Sequence, residues 1–207
     1  MNTFVSLPLH EFIARVAAPT PAPGGGTVAA VTAACGTALA EMVAALPRTR
    51  HDSPEERNAL DLVRPVLAAC RARFEKLADL DTEAFDRLLR AFRLPKGTSG
   101  EASARRAAIA DATRDATLVP LETSRLCADV LKLMETVAAA GNPAAASDLL
   151  VGIGIVRASA EGAAANVRAN LHTLDDTAFS QHSTRRLTST LDDVTHSAHA
   201  AIGALQV

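Results

Sequence analysis

The sequence predicts an all-α protein, a single-domain antiparallel helical bundle, and three observations carry that prediction. No stretch alternates apolar and polar residues in the manner of a strand for more than a few positions. Hydrophobic residues make up 48% of the chain, yet only 3% of residues are aromatic and neither Trp nor Tyr occurs. An apolar complement of Ala, Leu and Val suits close helix–helix packing better than a sheet, which draws on aromatic and β-branched residues. Finally, prolines, glycines and two capping boxes divide long helical patterns from one another. At 207 residues the chain is long enough to bury a large core without disulfides or metals.

In order along the chain, residues 3–17 read as an amphipathic helix with Phe4, Leu7, Phe12, Ile13 and Val16 as core positions. Residues 26–46 follow as a buried helix of small residues, ended by Pro47. Ser53-Pro54-Glu55-Glu56 is a capping box: Ser53 takes a free N–H, Pro54 suits the first turn and Glu56 reaches back. The helix it opens runs to about Phe92, with a kink expected near Pro65. Thr98 with Glu101 forms a second capping box, starting a helix expected to end before Pro120. Further helices are expected over about 120–140, stopped by Gly141, then 144–172, then 176–206 with Asp175 as the cap. There is no linker, internal repeat or low-complexity tail.

The segment Pro19-Thr20-Pro21-Ala22-Pro23-Gly24-Gly25-Gly26-Thr27 is the hardest to explain by folding alone. Three prolines fix φ and make a stiff extended strap, and three glycines then free the backbone. A strap, a hinge and a helix start in succession can present bare N–H groups to a ligand. The alternative is a tight connector in which glycine lets two helices approach.

Composition excludes several classes. The net charge of −2 gives no global attraction to nucleic acid, and no aromatic-basic patch offers a stacking platform. Cys35, Cys70 and Cys127 are dispersed and odd in number, which fits buried thiols in a reducing cytoplasm and no zinc site. The opening residues do not read as a signal peptide. The run 27–46 is apolar enough to raise a membrane span, but Glu41, its Ala and Gly richness and the flanking prolines favour a core helix. His196 and His199 lie three apart beside Asp192 and Asp193 without a third ligand block, so they read as surface residues and no metal is expected.

Ordered blocks carry a family resemblance. Pro-Thr-Pro-Ala-Pro-Gly-Gly-Gly-Thr with Gly36-Thr37-Ala38-Leu39-Ala40-Glu41-Met42-Val43 resembles the opening of the cyclodeaminase/cyclohydrolase family. Asp81-Thr82-Glu83-Ala84-Phe85 resembles that family's Asp-x-Glu-Ala-Phe, and Leu94-Pro95-Lys96-Gly97-Thr98 its Leu-Pro-Lys-x-Thr. Ala116 to Leu121, Gly141-Asn142 with Ser147-Asp148, and Asn166-Val167-Arg168-Ala169-Asn170-Leu171 follow in family order. Each block is weak alone; the ordered set, from about residue 10 to 179, is specific. One stretch departs: Ala45 to Asp52 lacks the family's polar helix end and its Tyr.

The resemblance implies a methenyltetrahydrofolate cyclohydrolase or a 5-formiminotetrahydrofolate cyclodeaminase, with a tetrahydrofolate derivative as substrate and no further cofactor. Cyclohydrolase is preferred because no formiminotransferase domain accompanies the sequence; a diverged, non-catalytic domain of the same fold is the other class. Either reaction passes through a tetrahedral carbon flanked by nitrogens and needs an anion, a proton carrier and donors for the pterin.

Within the matched blocks Asp81 and Asp148 are the carboxylates for that work, against solvated-face and helix-start alternatives. Asp79 stays undecided, and Lys96 is either a proton carrier, a carboxylate ligand or a surface residue. Pro23, Gly24, Gly25, Gly26 and Thr27 are expected to present backbone to the substrate. Asn142, Asn166 and Asn170 offer amides to a lactam edge, or hydrogen bonds between helices. Arg48 and Arg50 either grip a glutamate tail or form a solvated turn. The alanine-rich stretch 158–169 exceeds what one helix face needs, so a homodimer is expected.

Overall fold

In the computed structural model, residues 4–47 and 53–205 are described, and these contain six α-helices and no strand. They are α1 (Leu9–Ala17), α2 (Gly25–Ala45), α3 (Pro54–Phe92), α4 (Ser99–Ala140), α5 (Ala146–His172) and α6 (Thr177–Ala204). Both capping boxes form as read: Glu56 N–H donates to Ser53 Oγ at 3.1 Å, and Glu101 N–H to Thr98 Oγ1 at 3.2 Å.

Cross-links fix the order of packing. Arg71 of α3 bonds Glu41 of α2, so α2 and α3 run antiparallel once Thr27 is seen against Asp81. Arg73 clasps Glu122 with two bonds of 2.8 Å, joining α3 to α4. Asn170 bonds Ala116, and Ser124 bonds Ala160, which sets α5 antiparallel to α4. Arg114 of α4 pairs with Asp176 at the start of α6 at 2.8 Å. Phe74, Leu67, Leu77, Leu131, Met134, Leu149 and Ile153 are fully buried between these helices.

Small residues at the α2–α5 crossing decide where the site falls. A Cβ at Gly36 would sit 2.9 Å from the Gly152 carbonyl, and one at Gly152 equally close to the Gly36 carbonyl. The backbones therefore meet directly, and the antiparallel run from that point carries Asn166 of α5 to Gly25 at the start of α2. Both α2 and residues 143–172 are long and apolar enough to cross a membrane, with 50% and 39% of their apolar windows buried in this bundle.

Several sequence expectations change; of the thiols read as buried, Cys127 is buried, Cys70 half-buried and Cys35 exposed. The first helix breaks at Pro8 into a 3-10 turn, Phe4–Ser6, and α1, because the residue before a proline avoids the helical region. Ile13 and Val16, read as core, are 57% and 39% exposed, leaving Phe12 to make the inward contact. Helix α4 does not stop at Pro120; it continues to Ala140. The carbonyl of Ala116 that Pro120 leaves without an N–H instead receives the side-chain amide of Asn170 at 2.9 Å. The cap of α6 is Asp176, not Asp175: its Oδ1 accepts the Phe179 N–H at 3.0 Å while Oδ2 holds Arg114. These contacts hold the Asp176 carboxyl below its ordinary value.

Candidate functional site

The site assembles on the first turn of α2. Gly24 is the N-cap in an extended conformation and supplies no side-chain cap, so the leading N–H groups of the helix have no partner in their own helix. A carboxylate from another helix stands there instead. Thr27 Oγ1 donates to Asp81 Oδ2 at 2.9 Å, and Asp81 presses onto Gly26. A Cβ at Gly26 would lie 2.7 Å from both Cγ and Oδ2 of Asp81 and closer still to Oδ1, so any side chain there would displace the carboxylate from this position. The last glycine of the strap thus serves a close approach, with no left-handed backbone required.

Two influences oppose each other at Asp81. Withdrawal from water raises its carboxyl above the ordinary 3.8, and hydrogen bonds from the Thr27 side chain and backbone pull it down by less. The raised value therefore reflects burial prevailing over the two Thr27 hydrogen bonds. A group of this kind is suited to taking and returning a proton.

Asn166 completes the cluster from α5. Its amide lies 3.5 Å from where a Gly25 Cβ would sit, and one N–H is held by the Gly162 carbonyl at 2.9 Å. That bond fixes the side chain and leaves the carbonyl oxygen and a second N–H for a ligand. Gly25 is exposed and Asn166 partly so, which opens this corner to solvent.

The remaining predicted residues divide. Pro23 is buried, stands immediately before the cap Gly24 and is joined to Ala22 by a cis peptide. Thr27 is fully buried and its hydroxyl is engaged by Asp81 and Thr82, which gives it a supporting place behind the carboxylate. Asn170 shares a helix face with Asn166 but completes the Pro120 turn of α4, the interhelical alternative weighed above.

Asn142 lies beside the other end of α2: its Nδ2 bonds the Pro47 carbonyl at 2.8 Å and its Oδ1 accepts from Ala144 N–H. Asp148 is exposed in the first turn of α5, about five turns or roughly 27 Å from Asn166 along the same helix. Within one chain it does not face Asp81. Lys96 is exposed in the α3–α4 turn. Arg48 and Arg50 lie outside the described residues. Asp79 receives the Phe4 N–H at 3.0 Å and so anchors the N-terminal turn to α3. Among the described residues, no three His, Cys, Asp or Glu side chains gather to hold a metal ion.

Two contributors escaped the sequence reading. Thr82, beside Asp81 in the same block, places Oγ1 3.2 Å from Thr27 Oγ1. Phe85, one turn beyond Asp81, begins a partly exposed apolar face continued by Leu89 and Phe92. The spacing 81, 85, 89, 92 was visible as helical periodicity; what hid it was not knowing that α3 overshoots the start of α2. Between α3 and α4, a separate groove of about 330 Å³ is lined by Arg87, Arg90 and Leu94 from α3 and its end and by Asp115 from α4.

The helical bundle thus sets a half-buried carboxylate and an amide around a glycine-rich helix start. The chain belongs to the formiminotransferase-cyclodeaminase family, whose model matches residues 8–189. It is 36% identical over 179 residues to a methenyltetrahydrofolate cyclohydrolase of Methylorubrum extorquens, covering 86% of each chain. It is 33% identical over 199 residues to the formimidoyltransferase-cyclodeaminase of Sus scrofa, where the match covers 96% of this chain but 37% of that protein. The chain thus spans just over a third of the length of its mammalian relatives. In fold it superposes on a formiminotetrahydrofolate cyclodeaminase of Thermotoga maritima with a TM-score of 0.85 at 28% identity, over 97% of this chain and 96% of that one.

Proposed function

We propose that this chain is a methenyltetrahydrofolate cyclohydrolase acting in one-carbon metabolism. The observation that carries the reading is Asp81, a carboxylate raised by burial and clamped over Gly26 beside an open, amide-lined corner. The match to the bacterial cyclohydrolase across most of both chains supports the choice of reaction.

The chemistry follows from one carboxylate. Ionised Asp81 lies near the cationic methenyl carbon and takes a proton from water as the water oxygen bonds that carbon. The tetrahedral adduct then collapses: the C–N5 bond breaks, the carbon keeps its oxygen as a formyl group on N10, and Asp81 returns its proton to N5. The excess proton of the hydroxyl leaves to solvent, so cation plus water gives 10-formyltetrahydrofolate plus a proton. Asn166 and the leading N–H groups of α2 hold the pterin or the incoming oxygen. The balance needs no metal, nucleotide or flavin.

The Thermotoga neighbour, matched over nearly its whole length, favours a second reading in which the same site closes N10 onto a 5-formimino carbon and expels ammonia. The two are separated by following methenyltetrahydrofolate disappearance and, independently, its appearance from 5-formiminotetrahydrofolate. Turnover in neither assay overturns both. We further propose a homodimer, supported by the uncharged stripe Val28, Thr32, Cys35, Leu39 and Met42 on α2 beside exposed Leu150 and Val151 of α5.

A further inference from the structure

Four threonines inside the helices share one hydroxyl outlet that Thr27 and Thr82 do not use. Thr32, Thr37, Thr113 and Thr117 each donate their hydroxyl to the carbonyl four residues earlier, at 2.7 or 2.8 Å. This is the ordinary outlet for a threonine inside a helix. Thr27 has no such outlet, because it is the third residue of α2 and the carbonyl four earlier belongs to Pro23, outside the helix. Its hydroxyl turns across to α3. Thr82 sits mid-helix, with the Ala78 carbonyl four residues behind it, and its hydroxyl instead meets Thr27 at 3.2 Å.

Proton bookkeeping gives the chain a direction. Thr27 has one hydroxyl proton, and Asp81 Oδ2 accepts it. The Thr27 oxygen is then an acceptor, so the proton between the two threonines comes from Thr82. Asp81 Oδ2 is thereby engaged by the Thr27 hydroxyl, the Thr27 backbone N–H also acts on the carboxylate, and Oδ1 lies over Gly26. We propose that Thr82 and Thr27 form a hydroxyl relay that locks Oδ2 and reserves Oδ1 of Asp81 for proton exchange with the substrate, making Thr82 a positioning residue. The inference rests on the reading of Asp81 as the proton carrier. Around it stand Thr27 from α2, Thr82 from α3 and Asn166 from α5; the causes acting on its carboxyl are burial and Thr27, with no charged side chain among them.

Two measurements test it. In steady-state turnover of methenyltetrahydrofolate, Thr82→Val keeps the shape and removes the donor; kcat falls about five- to tenfold with KM unchanged, the size of one lost hydrogen bond. Thr82→Ser restores it. In an Asp81→Asn background Thr82→Val adds no further loss, because both act through one carboxylate. Without any substrate, the carbon-13 carboxyl titration of Asp81 moves upward in Thr27→Val and returns in Thr27→Ser, since a donor to the charged form has been removed. An unmoved titration in Thr27→Val overturns the relay whatever the protein turns over. Wild-type kcat in Thr82→Val overturns the place of Thr82. A wild-type protein inactive in both folate assays, with the titration moving as stated, refutes the folate reading and leaves the relay standing.

Discussion

Replacing Gly26 by alanine adds one carbon to the backbone and places it 2.7 Å from the Asp81 carboxyl carbon. Ordinary contact begins near 3.4 Å, so the carboxylate must withdraw by at least about 0.7 Å. It cannot do so and keep its 2.9 Å bond from Thr27, which lies on the next residue of the same turn. A misplacement of about 1 Å in a reacting group costs roughly 10²-fold in rate. Stability moves little, because two effects offset: alanine gains up to about 1 kcal/mol of helix propensity over glycine, and the loss of one hydrogen bond costs a similar amount. The expected result is a kcat lower by about 10²-fold with a melting temperature within about 4 °C of the parent. The assay is methenyltetrahydrofolate turnover beside a thermal melt, with Asp81→Asn and the double variant in parallel. Because both substitutions disable one carboxylate, the double variant should be no slower than the slower single one. Full activity in Gly26→Ala, or losses that multiply in the double variant, would refute the claim that this glycine exists to seat Asp81.

Asp81→Asn alone should lower kcat by roughly 10²-fold or more while the melting temperature at pH 7 holds or rises, since it removes a buried charge that the fold strains to keep. Asn170→Ala should leave KM unchanged and destabilise by about 1–3 kcal/mol in a denaturant titration, because the Ala116 carbonyl at Pro120 loses its donor; a raised KM at unchanged stability would return Asn170 to the substrate. Asp148→Asn should stay within about twofold of parental kcat if each chain works alone, and a hundredfold loss would bring Asp148 of a second copy to the site. Light scattering should report a dimer at micromolar concentration, with Val151→Glu on the exposed face of α5 reducing it to a monomer.

The helices were legible because their signals are local. Ser53 and Thr98 announce their helices through glutamates three residues on, and both boxes form. Pro120 misled for the opposite reason: the carbonyl it orphans, on Ala116, is met by a donor, Asn170, that lies 54 residues away in sequence. The site divided along the same line. Gly26 and Asp81 were both visible as unusual residues, but that one exists to admit the other is a distance between helices. Asn142 and Asp148 resemble the family's blocks as closely as Asp81 does, and only the direction of α5 shows that they lie at the far end of the bundle from it.

That separation bears on mechanism. Asp148 stands about five turns of helix from the site within one chain, so it does not share the labour of protonation and deprotonation with Asp81 there. In the proposed cyclohydrolase reading Asp81 takes the proton from water and later gives it to N5, which requires it to start ionised and to hold a proton readily once it has one. Burial supplies the second property and the two Thr27 hydrogen bonds preserve the first. The pH dependence follows with a definite sign. As pH falls through the raised value of Asp81, the starting carboxylate is lost, so kcat/KM must drop on an acid limb lying above 3.8. Stability runs the other way. Between 3.8 and the raised value the folded chain holds a proton that the unfolded chain has released, so the Asp81 contribution to stability declines as pH rises through that window. Activity and this part of stability should therefore trade against each other over one range of pH, and Asp81→Asn should abolish both dependences at once. An acid limb below 3.8, or one that persists unchanged in Asp81→Asn, would assign the proton to another group.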